Sequence, residues 1–108
     1  MRDSGLEALV SDELTSVSGL TEKSMFGGWA WLLHGNLLCA AREDGMLVRL
    51  GKGQDAWALE IEGVEPMYSG TRRMHGWVRA SPRAYADGAI RRELIDRALT
   101  FVRSLPRE

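Results

Sequence analysis

Met25-Phe26-Gly27-Gly28-Trp29-Ala30-Trp31 opens an apolar run that two adjacent glycines interrupt almost at once. Glycine has no side chain to pack and weakens a strand, so a pair of glycines in strand-like sequence implies a bulge, a bend or the close approach of another backbone. Two readings follow. Either the chain bends as it enters a sheet, or the glycines open a concave spot walled by Met25, Phe26 and Trp29 where a ligand or a partner backbone approaches. A phosphate-binding loop is excluded, because no Gly-Lys-Ser/Thr follows and no strand passes into a helix with the required glycine spacing.

Downstream of this stretch, apolar runs at 26–33, 37–42 and 46–50 are separated by His34-Gly35-Asn36 and Glu43-Asp44-Gly45, residues that accept positive φ. Their spacing predicts a three-stranded antiparallel meander. Upstream, residues 4–17 place Leu6, Leu9, Val10, Leu14 and Val17 on one helical face, with Ser4 positioned to cap and Glu7 at capping-box spacing. Beyond Gly51-Lys52-Gly53, Trp57, Ala58 and Ile61 at helical spacing predict a short helix over 54–62 that stops at Gly63. Residues 66–68 and 74–80 read as two more strands. After Ser81-Pro82, residues 83–105 carry the stripe Ile90, Leu94, Ala98, Phe101 and Leu105 of a long helix that Gly88 is placed to break. The expected fold class is α+β, one unit spanning 1–108 in which helices pack against one antiparallel sheet.

The 108 residues suffice for one core, and none of their apolar runs approaches the roughly 18 residues a membrane-spanning helix needs. The acidic, amphipathic start lacks the basic and apolar regions of a signal peptide, so a cytoplasmic protein without membrane contact is expected. The lone Cys39 has no internal disulfide partner, and with His34 and His75 it falls short of a structural zinc site. Inside Leu37-Leu38-Cys39-Ala40-Ala41 it reads as a small buried hydrophobe rather than a nucleophile. No cofactor and no catalytic constellation are implied, and the acids at Glu43-Asp44, Glu60, Glu62 and Glu65 fall where carboxylates are usually solvated.

The net charge of −1 conceals an asymmetry: residues 1–71 carry a surplus of six negative charges and residues 72–108 a surplus of five positive ones. Either the late arginines form a basic surface region, or they pair with the acids of the earlier sequence. Strand alternation puts Trp29 and Trp31 on one face, as core under the C-terminal helix or as an exposed interaction surface. It also puts His75, Trp77 and Arg79 on one face of 74–80, opposite Met74, Gly76 and Val78. With Arg72, Arg73 and Arg83, that row is either a solvated face or the candidate contact for an anion or a nucleic-acid backbone.

Glu22-Lys23-Ser24-Met25-Phe26-Gly27-Gly28, the Gly35-Asn36 hairpin, Met46-Leu47-Val48-Arg49-Leu50-Gly51, Pro66-Met67, Met74-His75-Gly76-Trp77-Val78 and Phe101-Val102-Arg103-Ser104-Leu105-Pro106 recur in a characteristic order. Over residues 18–106 the chain resembles the N-terminal domain of the TfoX/Sxy family in its stand-alone form. The resemblance implies a helix, three strands, a helix, two strands and a helix, similar to secretion-chaperone-like domains. It also implies a non-enzymatic regulator, since well-known members act in natural competence as co-activators with a cyclic-AMP receptor protein. Those members carry a second, helical C-terminal domain that these 108 residues do not include. Met25, Phe26, Gly27, Gly28 and Arg49 match the family motif and are expected to serve fold or binding rather than chemistry. The leading expectation is a module that binds a protein partner, a transcription factor or polymerase component, through the Trp-bearing sheet or the Arg-rich last third. A second is a small-molecule pocket between sheet and C-terminal helix lined by Met25, Phe26, Trp29, Trp31 and Trp77, and a third is direct DNA binding through Arg72, Arg73, Arg79 and Arg83. An exposed edge strand beside Trp29 and Trp31 would favour a homodimer.

Overall fold

Phe26 and Gly27 both adopt positive φ, 59° and 74°, and Met25 pairs directly with Gly28 across them. Two consecutive left-handed residues between antiparallel strands make a two-residue hairpin turn of the kind whose twist matches the strands it joins. The double glycine therefore reverses the chain instead of bending one strand, and a strand lies on each side of it. The structure, a computed structural model, describes residues 3–107, so Met1, Arg2 and Glu108 of the expected 1–108 unit lie outside it.

The elements are α1 (Ser4–Glu13), β1 (Leu20–Met25), β2 (Gly28–Leu33), β3 (Asn36–Arg42), β4 (Gly45–Arg49), α2 (Ala56–Leu59), β5 (Val64–Ser69), β6 (Arg72–Ala80), α3 (Pro82–Tyr85) and α4 (Gly88–Arg103). The strands form one antiparallel sheet in the order β1-β2-β3-β4-β6-β5. The α+β class holds, with the expected meander extended to four strands and the sheet to six. The added strand, β1, has the sequence LTEKSM and an exposed middle. As an edge strand it is held by hydrogen bonds to β2 on one side, so no apolar alternation marks it.

Other boundaries move for local reasons. Asp3, not Ser4, caps α1, its Oδ1 accepting from Leu6 N at 3.0 Å, and the helix stops well before Val17. The helix expected over 54–62 closes after a single turn. The long C-terminal helix is divided: Pro82 starts α3, and Asp87 caps a fresh start at Gly88, its Oδ1 accepting from Ala89 N at 2.9 Å and Ile90 N at 3.2 Å.

Two irregularities decide which side chains share a face. In β3 the pairing runs from Trp31↔Cys39 to Leu32↔Leu37, so Leu38 is an extra residue, and both Leu38 and Cys39 turn toward the helices. In β6 the pairing jumps from Pro66↔Val78 to Tyr68↔Arg73, so Met67 faces residues 74–77, and Gly76 sits in this bulge at φ 87°.

The main core lies on the helix-bearing face, where Leu6, Val10 and Leu14 near α1 and Leu94, Ile95, Ala98, Leu99 and Val102 of α4 meet Trp31, Leu33, Cys39, Met46 and Val48. Helix α4 runs across β3 and β4, and α3 covers β4 and β6.

The two glycines of the turn do different work. A Cβ on Gly28 would lie 2.1 Å from the Ala41 carbonyl oxygen, whereas one on Gly27 meets nothing within 4 Å. Gly27→Ala is expected to cost only the left-handed backbone penalty of about 1–2 kcal/mol. Gly28→Ala, which forces β3 aside, is expected to cost about 3 kcal/mol or more. Urea denaturation of both variants checks this, and equal losses would refute the close approach of β3 at Gly28.

Candidate interaction surface

The sheet's other face carries no helix. The ladder pairs Ala30 with Ala40, Ala40 with Leu47, and Arg49 with Trp77, which puts these side chains on that one side. There Ala30, Ala40, Leu47, Met67 and Trp77 form a second, smaller cluster whose cover is the half-buried Met25, Phe26, Leu37 and Met74. No helical residue belongs to it.

Phe26 is the most constrained part of this cover. A bulky residue at φ 59° pays roughly 1–2 kcal/mol in backbone energy. Its ring, however, meets Trp77 edge-on, with centroids 5.9 Å apart and planes at 66°, an arrangement worth about 0.5–1.5 kcal/mol beyond the area it buries. Beside the turn, the Arg42 guanidinium donates to both carboxylate oxygens of Asp44 at 2.8 and 2.7 Å. That bonding holds the Asp44 carboxyl below its ordinary range. Arg79 donates to Glu65 Oε1 at 2.5 Å and to the Asp44 carbonyl at 2.8 Å, completing a polar border.

Trp29 and Trp31 point to the helix-bearing side, where they wall a shallow groove with Glu7, Ala8 and Ser11 of α1. Trp31 is core at 2 % exposure, and Trp29 is half-buried with its indole N–H donating to Glu22 Oε1 at 2.7 Å. The five residues expected to line one pocket therefore divide between two faces, with Met25, Phe26 and Trp77 opposite Trp29 and Trp31.

The row His75, Trp77, Arg79 is also broken. The bulge at Gly76 brings Met74 into the apolar cluster of Trp77, while His75 and Trp77 both line a cleft of about 330 Å³ with Arg49, Lys52 and Phe101, away from Arg79. An isolated glycine within the strand was the sequence's one sign of this bulge.

The late arginines largely resolve the charge asymmetry by pairing. Arg73 reaches Asp55 at 3.6 Å, Arg79 reaches Glu65, Arg83 reaches Glu62, and Arg91 and Arg92 hold Glu13 at 3.6 and 3.7 Å. Arg72 is exposed, with no ion pair among the described residues. Arg72 and Arg73 begin β6 and Arg83 lies past its far end, so the structure does not bring them into one patch.

Among the described residues no three His, Cys, Asp or Glu side chains group as metal ligands, and no helix is long and apolar enough to cross a membrane. Cys39 is fully buried, and burial pushes its thiol far above the usual range, away from the reactive thiolate. Native protein at pH 8 is expected to leave an aromatic disulfide reagent unreacted, and protein in concentrated guanidinium to consume one equivalent. Rapid native labelling would contradict the burial.

Among known families, the TfoX N-terminal domain model matches residues 12–102, which takes in every strand, α2, α3 and α4 up to Val102, and only the end of α1. No curated protein and no solved structure matches the chain.

Proposed function

The chain belongs to the TfoX N-terminal domain family, and on that premise we propose that it is a non-enzymatic regulatory module, acting in the cytoplasm, that binds a protein of the transcription machinery through the helix-free face of its sheet. The observation that carries this reading is the cover of that face. An apolar cluster reaching from Ala30 to Trp77 is closed over only by half-buried side chains, and Phe26 holds its place there in a left-handed conformation. The partner that fits presents apolar side chains to Met25, Phe26, Leu37 and Met74, and hydrogen-bonding groups to the border formed by Arg42, Asp44, Arg79 and Glu65. Such a border orients a partner more than it adds affinity.

Direct DNA binding through Arg72, Arg73, Arg79 and Arg83 is the weaker reading. Three of the four already hold carboxylates, and a net charge of −1 offers little general attraction to phosphate.

Phe26→Asp tests the proposal, because aspartate tolerates the left-handed turn while removing the ring. A protein captured from host extract by the wild type, then purified, should rebind in calorimetry with a negative heat-capacity change. The variant should fold, as read by circular dichroism, and bind at least about tenfold more weakly. Undiminished binding by a folded variant, or capture of no protein that rebinds, would overturn the proposal.

A further inference from the structure

Five arginines are half-buried among the described residues: Arg42, Arg49, Arg73, Arg79 and Arg91. Four of them hold a carboxylate, and Arg49 holds none. Its Nη1 donates to the Leu37 carbonyl at 3.3 Å, and its guanidinium carbon lies 5.6 Å from the centre of the Phe101 ring. A partly desolvated cation held by one carbonyl and a ring face is far from saturated, because guanidinium offers five N–H donors in a fork suited to carboxylates.

Arg49 lines the cleft of about 330 Å³ together with Lys52 and His75, neither of which has an ion pair among the described residues. A second cleft of about 470 Å³ shares Lys52 and Phe101 with the first and continues past Trp57 to Arg97. No carboxylate lines either one. Meeting at Lys52 and Phe101, the two make one groove, with Arg49 and Lys52 along it, neither ion-paired among the described residues, and Arg97, which pairs with Glu93 at 3.5 Å, at its far end.

Its floor is built by two glycines. A Cβ on Gly76 would fall 2.7 Å from the Gly51 and Lys52 backbone, and one on Gly51 would fall 2.6 Å from the Phe101 ring. The Gly76 carbonyl accepts from Leu50 N at 2.7 Å and Gly51 N at 3.0 Å. The loop that carries Lys52 is thus clamped between β6 and α4, and the groove is preorganised for whatever fills it.

We propose that this groove binds an acidic segment of a partner protein, its carboxylates on Arg49, Lys52 and His75 and its apolar side chains along Phe101 and Trp57. Distributed positive charge suits an extended chain with several carboxylates better than a compact monoanion. A single-stranded nucleic acid would also offer repeated charge, but it needs open aromatic faces on which bases can stack. Here the Arg97 guanidinium lies 4.8 Å from the centre of the Trp57 ring, Arg49 lies over Phe101, and the edge contact with Phe26 engages Trp77. This rests on the reading of the chain as a protein-binding module; the groove shares Trp77 and Arg49 with the helix-free face and leaves that face at Phe101 toward α4.

Fluorescence anisotropy tests it with a short labelled peptide of alternating glutamate and leucine, a glutamine-for-glutamate control peptide and an oligothymidylate of similar length. Wild type is expected to bind the acidic peptide saturably, and Lys52→Glu, at an exposed position, to weaken it at least about tenfold. Arg49→Gln, checked for folding by circular dichroism, should do the same. Arg83→Glu, which alters charge by the same amount outside the groove, should change affinity less than about twofold. The proposal is overturned by no saturable binding up to about 1 mM, by equal binding of the glutamine peptide, by an unaffected Lys52→Glu variant, or by tighter binding of the oligothymidylate in the same groove. Loss of peptide binding in Phe26→Asp alone would move the site to the sheet face, overturning the groove assignment while leaving the module reading intact.

Discussion

Pairing across two-residue turns is the constraint on which the rest of this molecule depends. Met25 pairs with Gly28, Leu33 with Asn36, Arg42 with Gly45, and Ser69 with Arg72, so four hairpins each leave only two residues outside the ladder. A slip of one residue at any of them would carry that strand's apolar set to the opposite face. The turns at Phe26-Gly27 and His34-Gly35 fix register by demanding left-handed conformations that include two non-glycine residues. The sheet that results has one face suited to helices and one that must cover itself.

The fold was legible where periodicity and turn chemistry coincide. The runs at 26–33, 37–42 and 46–50 correspond to β2, β3 and β4, and the stripe through Ile90, Leu94 and Ala98 to α4. It was illegible where stability comes from backbone pairing alone. Leu20–Met25 is polar and exposed through its centre, and only its ladder to β2 makes it a strand. By its apolar side chain Phe26 reads as strand, although the glycine after it belongs to a turn. A phenylalanine in a left-handed turn runs against local preference, so its position has to come from the tertiary contact with Trp77.

The candidate surfaces were less legible than the fold, because both depend on breaks in alternation. Strict period two places Trp77 with His75. The bulge around Gly76 also brings Met74 into the apolar cluster of Trp77, and leaves His75 and Trp77 together on a basic cleft. Alternation did serve for Trp29 and Trp31, which share the helix-bearing side, since no bulge falls between them.

Charge shows why sequence clustering and surface charge must be separated. The last third of the chain is rich in arginine, yet β6 and α4 lie beside elements from the acidic part, and the ion pairs to Asp55, Glu65, Glu62 and Glu13 draw on it. Of these only Arg83–Glu62 is exposed on both sides, where a pair contributes roughly 0–1 kcal/mol, and the common effect of all of them is to neutralise charge. The cations that stay unpaired then carry most of the information about binding, and Arg49 and Lys52 come from the acidic part of the sequence, where a count of charges would not look for them. Two glycines and an aromatic ring bring them to His75. Backbone packing, rather than local composition, therefore decides where this protein keeps usable positive charge.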